Sequence, residues 1–351
     1  MVTLRPKVSV VCVTYNQEKY IAQTLDSFVA QRTNFKYEVV VADDCSTDST
    51  ARIISKYAER YPDVIRPVLR KKNIGIQKNF AETFREAKGD YLAVCEGDDY
   101  WTDALKLQRQ ADFLDEHTTY SICFHPVKVF FDNNERREQI YPQDIKDKKV
   151  SIESLLRENF IQTNSVMYRR QSYDHIPDNI LPIDWYLHLY HARFGKIGYI
   201  DKVMAAYRRH EGGVWWGSHR KNRDEFWRKN GKAHFALFAE ILKLHGDSEK
   251  NRSIILESIY WMFRVLTCID RKYKTSIVSE MIAQYPELAS PYIVKLQDMQ
   301  KEWDKVLNSH KEHIAYLEKS VELKDQEIAI LSRSFKDKLS EKLTQVLKKR
   351  P

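Results

Sequence analysis

KVSVVCVTYN is an almost unbroken run of apolar and β-branched residues, the pattern of a strand buried on both faces. YEVVVADD and YLAVCEG repeat the pattern, and VIRPVLR is a shorter version of it. Between these runs the period changes to that of a helix. Ile21, Leu25 and Phe28 share one face of EKYIAQTLDSFVAQ. STDSTARIISKYAERYP opens on capping residues, carries Ile53, Ile54, Tyr57 and Ala58, and stops before Pro62. KNFAETFREAKGD reads as a third helix with Gly89 as its C-terminal cap. This alternation predicts a doubly wound, mostly parallel α/β sheet.

The rhythm then loosens. YSICFHPVKVFF and NSVMYRR read as strands around the helix SIESLLREN; DWYLHLYHARFG is a helix ended by Gly195, and KIGYIDKVMAAYRRH returns to strand. From about residue 220 to 295 helix follows helix. Leu296 to Arg350 holds neither Pro nor Gly. There Ile314, Val321, Ile328 and Phe335 recur every seven residues, with Leu317 and Leu331 offset by three, as in a heptad seam. Met299, Trp303 and Val306 form a second seam out of phase with the first, and Lys324 and Lys338 interrupt the offset position. The expected division is an α/β domain over 1–218, an all-helical domain over 219–295, and a long helix or coiled coil over 296–351. The tail fits a homo-oligomer joined through this helix, or a long solvated helix. Its last piece, residues 333–350, sets Phe335, Leu339, Leu343, Val346 and Leu347 on one face among seven basic and two acidic residues. That face suits peripheral contact with an anionic membrane, or the end of the coiled coil.

Composition narrows the class. The chain has 351 residues and 43% hydrophobic content, enough for a large core. No apolar run approaches the ~18 residues of a membrane span, and the N-terminus reads as a first strand and not as a signal peptide. Cys12, Cys45, Cys95, Cys123 and Cys268 are scattered without CxxC spacing. They imply reduced thiols and a cytoplasmic setting, with neither a disulfide framework nor a zinc knuckle. The net charge of +8 points to anionic partners, but the basic residues are spread along the chain, so nucleic acid is not an expected one.

Two acidic clusters follow predicted strands: Asp43 and Asp44 after YEVVVA, and Glu96, Asp98 and Asp99 after YLAVC. In a parallel α/β sheet both lie at the carboxyl edge, where such folds bind ligands. Carboxylates of this kind suit Mn²⁺ or Mg²⁺; the plain alternative is a solvated acidic turn. Neither GxxxxGK[ST] nor GxGxxG occurs, which excludes a P-loop protein and an ordinary dinucleotide binder.

VSVVCVTYNQEKYIAQTLDSFVAQ, VVVADDCSTDST, NIGIQKNFAETFREAKGDYLAVCEGDDYW and IDWYLHLYHARFGKIGYIDKVMAAYRRHEGG follow one another in an order that resembles the family 2 glycosyltransferases of GT-A fold, over roughly residues 7 to 215. The resemblance implies an inverting enzyme that uses a nucleoside-diphosphate sugar. It implies a base and ribose pocket at Thr14, Tyr15, Asn16, Asp43, Asp44, Asn73, Lys78 and Glu96. Asp98, of a Glu96-x-Asp98 version of the family's DxD motif, would bind the metal with His210, and Asp99 would support them. Asp184 resembles the catalytic base; Ile183 stands where the family more often has Glu. Thr163, Asn164, Trp215 and Trp216 fall where the acceptor is expected. The acceptor implied is a glycan or lipid-linked glycan of a cell-surface polysaccharide, met in the cytoplasm or at the inner face of the membrane.

Plainer roles stand beside these. Asp184 also fits a helix N-cap, His210 a surface histidine, and the Trp pair a hydrophobic plug. His188 and His191 read as packing or surface residues. Two rival functions remain at this level: a sugar nucleotidyltransferase, disfavoured because TYNQEKY has no glycine for a phosphate loop, and a non-catalytic scaffold assembled by the tail.

Overall fold

The computed structural model describes residues 5–132, 136–143, 145, 150–177, 179–213 and 222–347. β1 (Val8–Thr14), α1 (Ile21–Val29), β2 (Tyr37–Asp43), α2 (Thr50–Arg60), β3 (Ile65–Leu69), α3 (Ile76–Glu86) and β4 (Tyr91–Val94) alternate as the hydrophobic pattern predicts. All seven residues of β1 are buried, because the strand pairs in parallel with β2 on one side and β4 on the other, under helices.

The next stretch holds β5 (Tyr100–Trp101), α4 (Lys106–Glu116), β6 (Tyr120–Phe124), β7 (Val127–Phe131), β8 (Gln139–Tyr141), α5 (Ile152–Arg157), β9 (Met167–Arg169), α6 (Ile183–Ala192), β10 (Lys196–Tyr199) and β11 (Ala205–Arg209). It is followed by α7 (Arg223–His245), α8 (Glu249–Tyr273), α9 (Ile277–Gln284) and α10 (Pro286–Leu347). The main sheet runs β10-β6-β9-β4-β1-β2-β3, with β9 antiparallel to both its neighbours. A second sheet runs β5-β11-β7-β8.

The hydrophobic pattern does not announce that second sheet. YSICFHPVKVFF looks like one strand, yet it breaks at His125–Pro126, and β6 joins the main sheet while β7 joins the small one. Pro126 has no N–H to continue a ladder. Gly89 is also corrected. Helix α3 stops at Glu86 with Ala87 as its cap, whereas a Cβ on Gly89 would lie 2.3 Å from the backbone nitrogen of Ser9. The glycine lets the chain pass close to β1 as it enters β4.

Residues Met1–Leu288 form one compact unit and Ala289–Pro351 another. Helices α7 to α9 lie in the first unit with both sheets; α7 packs on α6 and α8, and α8 also on α5. In the second unit Trp303, Ile314, Leu317, Val321 and Ile328 are 48–65% exposed along α10. The side chains of Phe335, Leu339, Leu343, Val346 and Leu347, and the whole of 348–351, lie outside the described residues. Among the described residues no helix is long and apolar enough to cross a membrane. All five cysteines are free, with Cys12, Cys95 and Cys123 buried.

Candidate active site

β1 and β2 end level with each other, Thr14 opposite Asp43, and β4 ends beside them. The chain then turns sharply through residues 95–99, which puts Glu96, Asp98 and Asp99 on the carboxyl edge. Gly97 makes this turn possible, since a Cβ there would stand 2.6 Å from Thr14 Oγ1 and 2.4 Å from Gln17 Oε1. The turn is then held from three sides. Thr24 Oγ1, on α1, lies 2.9 Å from the Gly97 carbonyl and 2.6 Å from that of Asp99. Asp99 is buried and accepts from the Arg208 N–H at 2.8 Å and from Asn164 Nδ2 at 2.9 Å. Arg208 donates from Nε to the Asp98 carbonyl (2.9 Å) and from Nη1 to Asp132 (3.0 Å), and its guanidinium lies over the rings of Tyr20 and Phe130. His210 follows two positions on, so the strand's alternation returns it to the same side. Its Nε2 is 2.9 Å from Asp98 Oδ2.

A cavity of about 1050 Å³ opens on this edge, lined among others by Thr14, Tyr15, Asp44, Asn73, Glu96, Asp98, Thr163 and Asp184. Asp44 organises its β2 side. Its two carboxylate oxygens accept from the N–H groups of Ile74 (2.8 Å) and Gly75 (2.9 Å), and Asn73 Nδ2 donates to its carbonyl. Each carboxylate oxygen keeps a second lone pair for a ligand.

Besides Asp99 and His210, four described residues singled out from the sequence stand off the cavity wall. Asn16 has φ 53°, and its Oδ1 accepts from the Thr47 N–H at 2.8 Å, which ties together the loops after β1 and β2. Asp43 accepts from the Ser46 N–H at 2.9 Å and shapes the turn beneath Asp44. Lys78 is exposed on α3. Asn164 is fully buried and serves Asp99. Trp215 and Trp216 lie outside the described residues.

Asp184 sits in the first turn of α6, one residue inside it; the cap position belongs to Pro182. Its Oδ2 accepts from Asn159 Nδ2 at 3.0 Å and Thr163 Oγ1 at 3.3 Å. Tyr141 holds Asn159 in turn, donating from its hydroxyl to the Asn159 carbonyl at 2.8 Å. His188 and His191 are buried packing groups: burial pushes both down to about 3, so each is neutral. His188 meets Tyr168 and the Ile161 carbonyl, and His191 meets Tyr173 and the Leu187 carbonyl.

Negative charge is crowded here. Burial, with Asp98 and Asp184 adding repulsion, holds Glu96 well above the usual carboxylate range. Burial and Asp98 do the same to Asp99, against the opposing N–H of Arg208. Burial also raises Asp184, opposed by its bonds from Asn159, the Trp185 N–H and Thr163. Such a cluster favours a cation. Among the described residues, however, no three His, Cys, Asp or Glu side chains gather to cage one. Asp98 and His210 offer two donors. That fits Mg²⁺ or Mn²⁺, which keep waters and complete their shell from a substrate's phosphates, and does not fit an all-protein site.

Sequence reasoning passed over Asn159, Arg208 and a set of aromatic side chains on α7 and α8. Arg208 was within reach, because it shares a strand face with His210. The aromatics carried a periodic signal too, but at helical spacing it reads as core.

A mostly parallel sheet with one antiparallel member, an acidic turn after β4 and a small second sheet beside it define a GT-A fold. The family described as Glycosyl transferase family 2 matches residues 9–210, and the chain belongs to it. This sets the nucleotidyltransferase reading aside. The chain is similar to the uncharacterised protein Rv1520 of Mycobacterium tuberculosis, 45% identical over 282 residues, covering 80% of this chain and 81% of that one. It is also similar to the poly(ribitol-phosphate) beta-N-acetylglucosaminyltransferase TarS of Staphylococcus aureus, at 37% identity over 112 residues, 32% of this chain and 19% of that one. The crystal structure of TarS 1–349 with UDP superposes with a TM-score of 0.53 at 22% identity, covering 82% and 80% of the two chains. Mannosyltransferase PcManGT from Pyrobaculum calidifontis, in complex with GDP-Man and Mn²⁺, gives 0.52 at 18% identity, covering 83% of each chain.

Proposed function

We propose that this glycosyltransferase moves a sugar from a nucleoside-diphosphate sugar to a hydroxyl of a glycan acceptor, with inversion at the anomeric carbon. One observation carries the reading: Asp98 and Asp184 open into the same cavity, together with Thr14, Asp44 and Asn73. Pockets for single ligands run to roughly 300–1,000 Å³, and this one, at about 1050 Å³, stands at the top of that range.

The residues take these roles. Thr14, Tyr15, Asp44 and Asn73 hold the base and ribose, with Glu96 facing the ribose. Asp98 and His210 hold Mn²⁺ or Mg²⁺, and Asp99, Asn164 and Arg208 fix the turn that presents them. The bound cation supplies Lewis-acid neutralisation of charge on the departing diphosphate. Asp184 takes the proton of the acceptor hydroxyl as its oxygen bonds to the anomeric carbon and the carbon–oxygen bond to phosphate breaks. A single displacement needs only this one base, unlike the paired carboxylates of glycoside hydrolysis. UDP and GDP-Man in the structural neighbours, and Mn²⁺ in one of them, support the donor and cation classes. The name of TarS, a poly(ribitol-phosphate) beta-N-acetylglucosaminyltransferase, supports a polymer bearing free hydroxyls as the kind of acceptor, and the free cysteines favour a cytoplasmic setting. A scaffold without chemistry would have no need to hold a half-buried Asp184 on the cavity wall with two hydrogen-bond donors on its carboxylate. Incubation with a panel of nucleotide sugars, a glycan acceptor mixture and manganese is expected to release nucleoside diphosphate from one donor, and addition of EDTA to stop it. No release from any donor would overturn the reading.

The exposed heptad residues of α10 support a second proposal, that copies of the chain associate through this helix. Ile314, Val321 and Ile328 at one position with Leu317 at the other favour two strands. Sizing by light scattering is expected to give a larger assembly for the full chain than for one ended at residue 295. Equal assemblies would reject the coiled coil and leave a solvated helix. Binding of the full chain, and not the shortened one, to anionic vesicles would assign residues 333–350 to the membrane.

A further inference from the structure

The cavity continues past the acids onto helices outside the family-matched span of 9–210. From Trp185 on α6, inside that span, to four rings on α7 and α8 beyond it, five aromatic side chains line the cavity as a connected strip. Trp185, beside the base, lies 5.6 Å from Phe238 between ring centroids; Phe238 lies 6.4 Å from His234, His234 5.0 Å from Trp227, and Trp227 5.6 Å from Trp261. Trp227, His234 and Phe238 share one face of α7, while Ile254, Ser258 and Trp261 share one face of α8. Four of the five rings are fixed by packing. Trp261 is 44% exposed, and so presents a free face. The charged residues of this wall, Arg157 and Glu257, stand opposite each other at 3.5 Å and offset each other.

Beside the base, Asn159 spends its Nδ2 on Asp184, while its Oδ1 is buried without a hydrogen-bond partner. A buried acceptor left unmade costs free energy.

We propose that this strip is the acceptor subsite and that it takes a neutral glycoside. The reacting ring sets a hydroxyl on Asp184, which Asn159 holds in place, and the next ring or an apolar aglycone lies along Phe238, Trp227 and Trp261. Aromatic faces bind the C–H faces of sugars and alkyl chains alike, while an anionic polyol phosphate would meet Glu257 beside Arg157, and Asp98 and Asp184 in the same cavity. The inference rests on the role given to Asp184 above.

The test is calorimetric titration of the full chain, saturated with UDP and manganese, using octyl glycosides below their micelle concentration and the matching methyl glycosides. An octyl glycoside is expected to bind about tenfold tighter than its methyl partner. Trp261→Ala removes that advantage and Trp261→Phe keeps most of it. A methyl disaccharide glycoside that equals the octyl form assigns the strip to a second sugar ring; tight binding of the octyl form alone assigns it to an aglycone. Equal binding of octyl and methyl forms, unchanged octyl affinity in Trp261→Ala, or tighter binding of ribitol phosphate than of any neutral glycoside overturns the proposal. UDP affinity is read separately, so a failed donor site is distinguished from a failed strip.

Discussion

Asp184→Asn is expected to lower sugar transfer by about 10²–10⁴-fold, the usual worth of a positioned general base, while the nucleoside diphosphate of its donor binds as in the parent enzyme. Asparagine keeps the size of the side chain and an oxygen to accept from Asn159 and Thr163, but it cannot take a proton. The pH dependence follows from the same burial. Asp184 lies above the ordinary aspartate value of 3.8 because burial penalises its charge more than its hydrogen bonds favour it. The base works ionised, so transfer should climb with pH through that raised value and be lost in acid well before an exposed aspartate would protonate. Stability runs the opposite way. A carboxyl whose folded value is raised contributes stability present below its unfolded value and lost as pH rises through the folded one. The variant should therefore melt higher than the parent at neutral pH, with the gap closing in acid. A variant both slower and more stable marks a strained catalytic group and not a structural one. Initial rates of diphosphate release across pH, with melting curves on the same samples, check both halves. An Asp184→Asn enzyme within a few-fold of the parent would remove it as the base.

How far the sequence carries this picture depends on whether a residue's neighbours are local. Asp44, Asp98, Asp184 and His210 could be named early because each follows a strand or opens a helix, and strand ends of a parallel sheet converge on one edge. β1 to β4 were equally plain, since burial on both faces writes itself as an unbroken apolar run. The second sheet was hidden because β5 has two residues and β7 shares its run with β6. Asn164 was chosen as an acceptor contact from its position, but its partners Asp99 and Ala206 lie far off in sequence, and only the fold reveals that it is a buried strut. Asn159 gave no signal, being a lone asparagine at the end of a short helix. The aromatic strip gave the wrong one. Trp227, His234 and Phe238 at helical spacing read as core, and three of the five rings are indeed nearly buried; what spacing cannot express is that their remaining edge faces a cavity.

Asp98→Ala should cost donor turnover at least about 10²-fold, because a Lewis acid at a leaving phosphate supplies several kcal/mol. Activity alone would not separate lost metal from a collapsed turn, so the deciding measurement is UDP affinity with manganese and with EDTA. In the parent enzyme manganese is expected to tighten UDP binding; in Asp98→Ala the two curves should coincide, with the metal-free affinity kept because Thr14, Asp44 and Asn73 still hold the nucleoside. His210→Ala should fall between, since it removes one of two donors and frees Asp98 from its 2.9 Å contact. The turn itself should survive both changes. Its supports are Thr24 on the Gly97 and Asp99 carbonyls, Asn164 and the Arg208 N–H on Asp99, and Arg208 Nε on the Asp98 carbonyl, none of which uses the Asp98 side chain. If manganese leaves UDP affinity unchanged in the parent and transfer proceeds in EDTA, the cation reading fails. Glu96, whose carboxyl burial holds well above the usual range, would then relieve the crowding by keeping its own proton, which leaves Asp184 free to act as base.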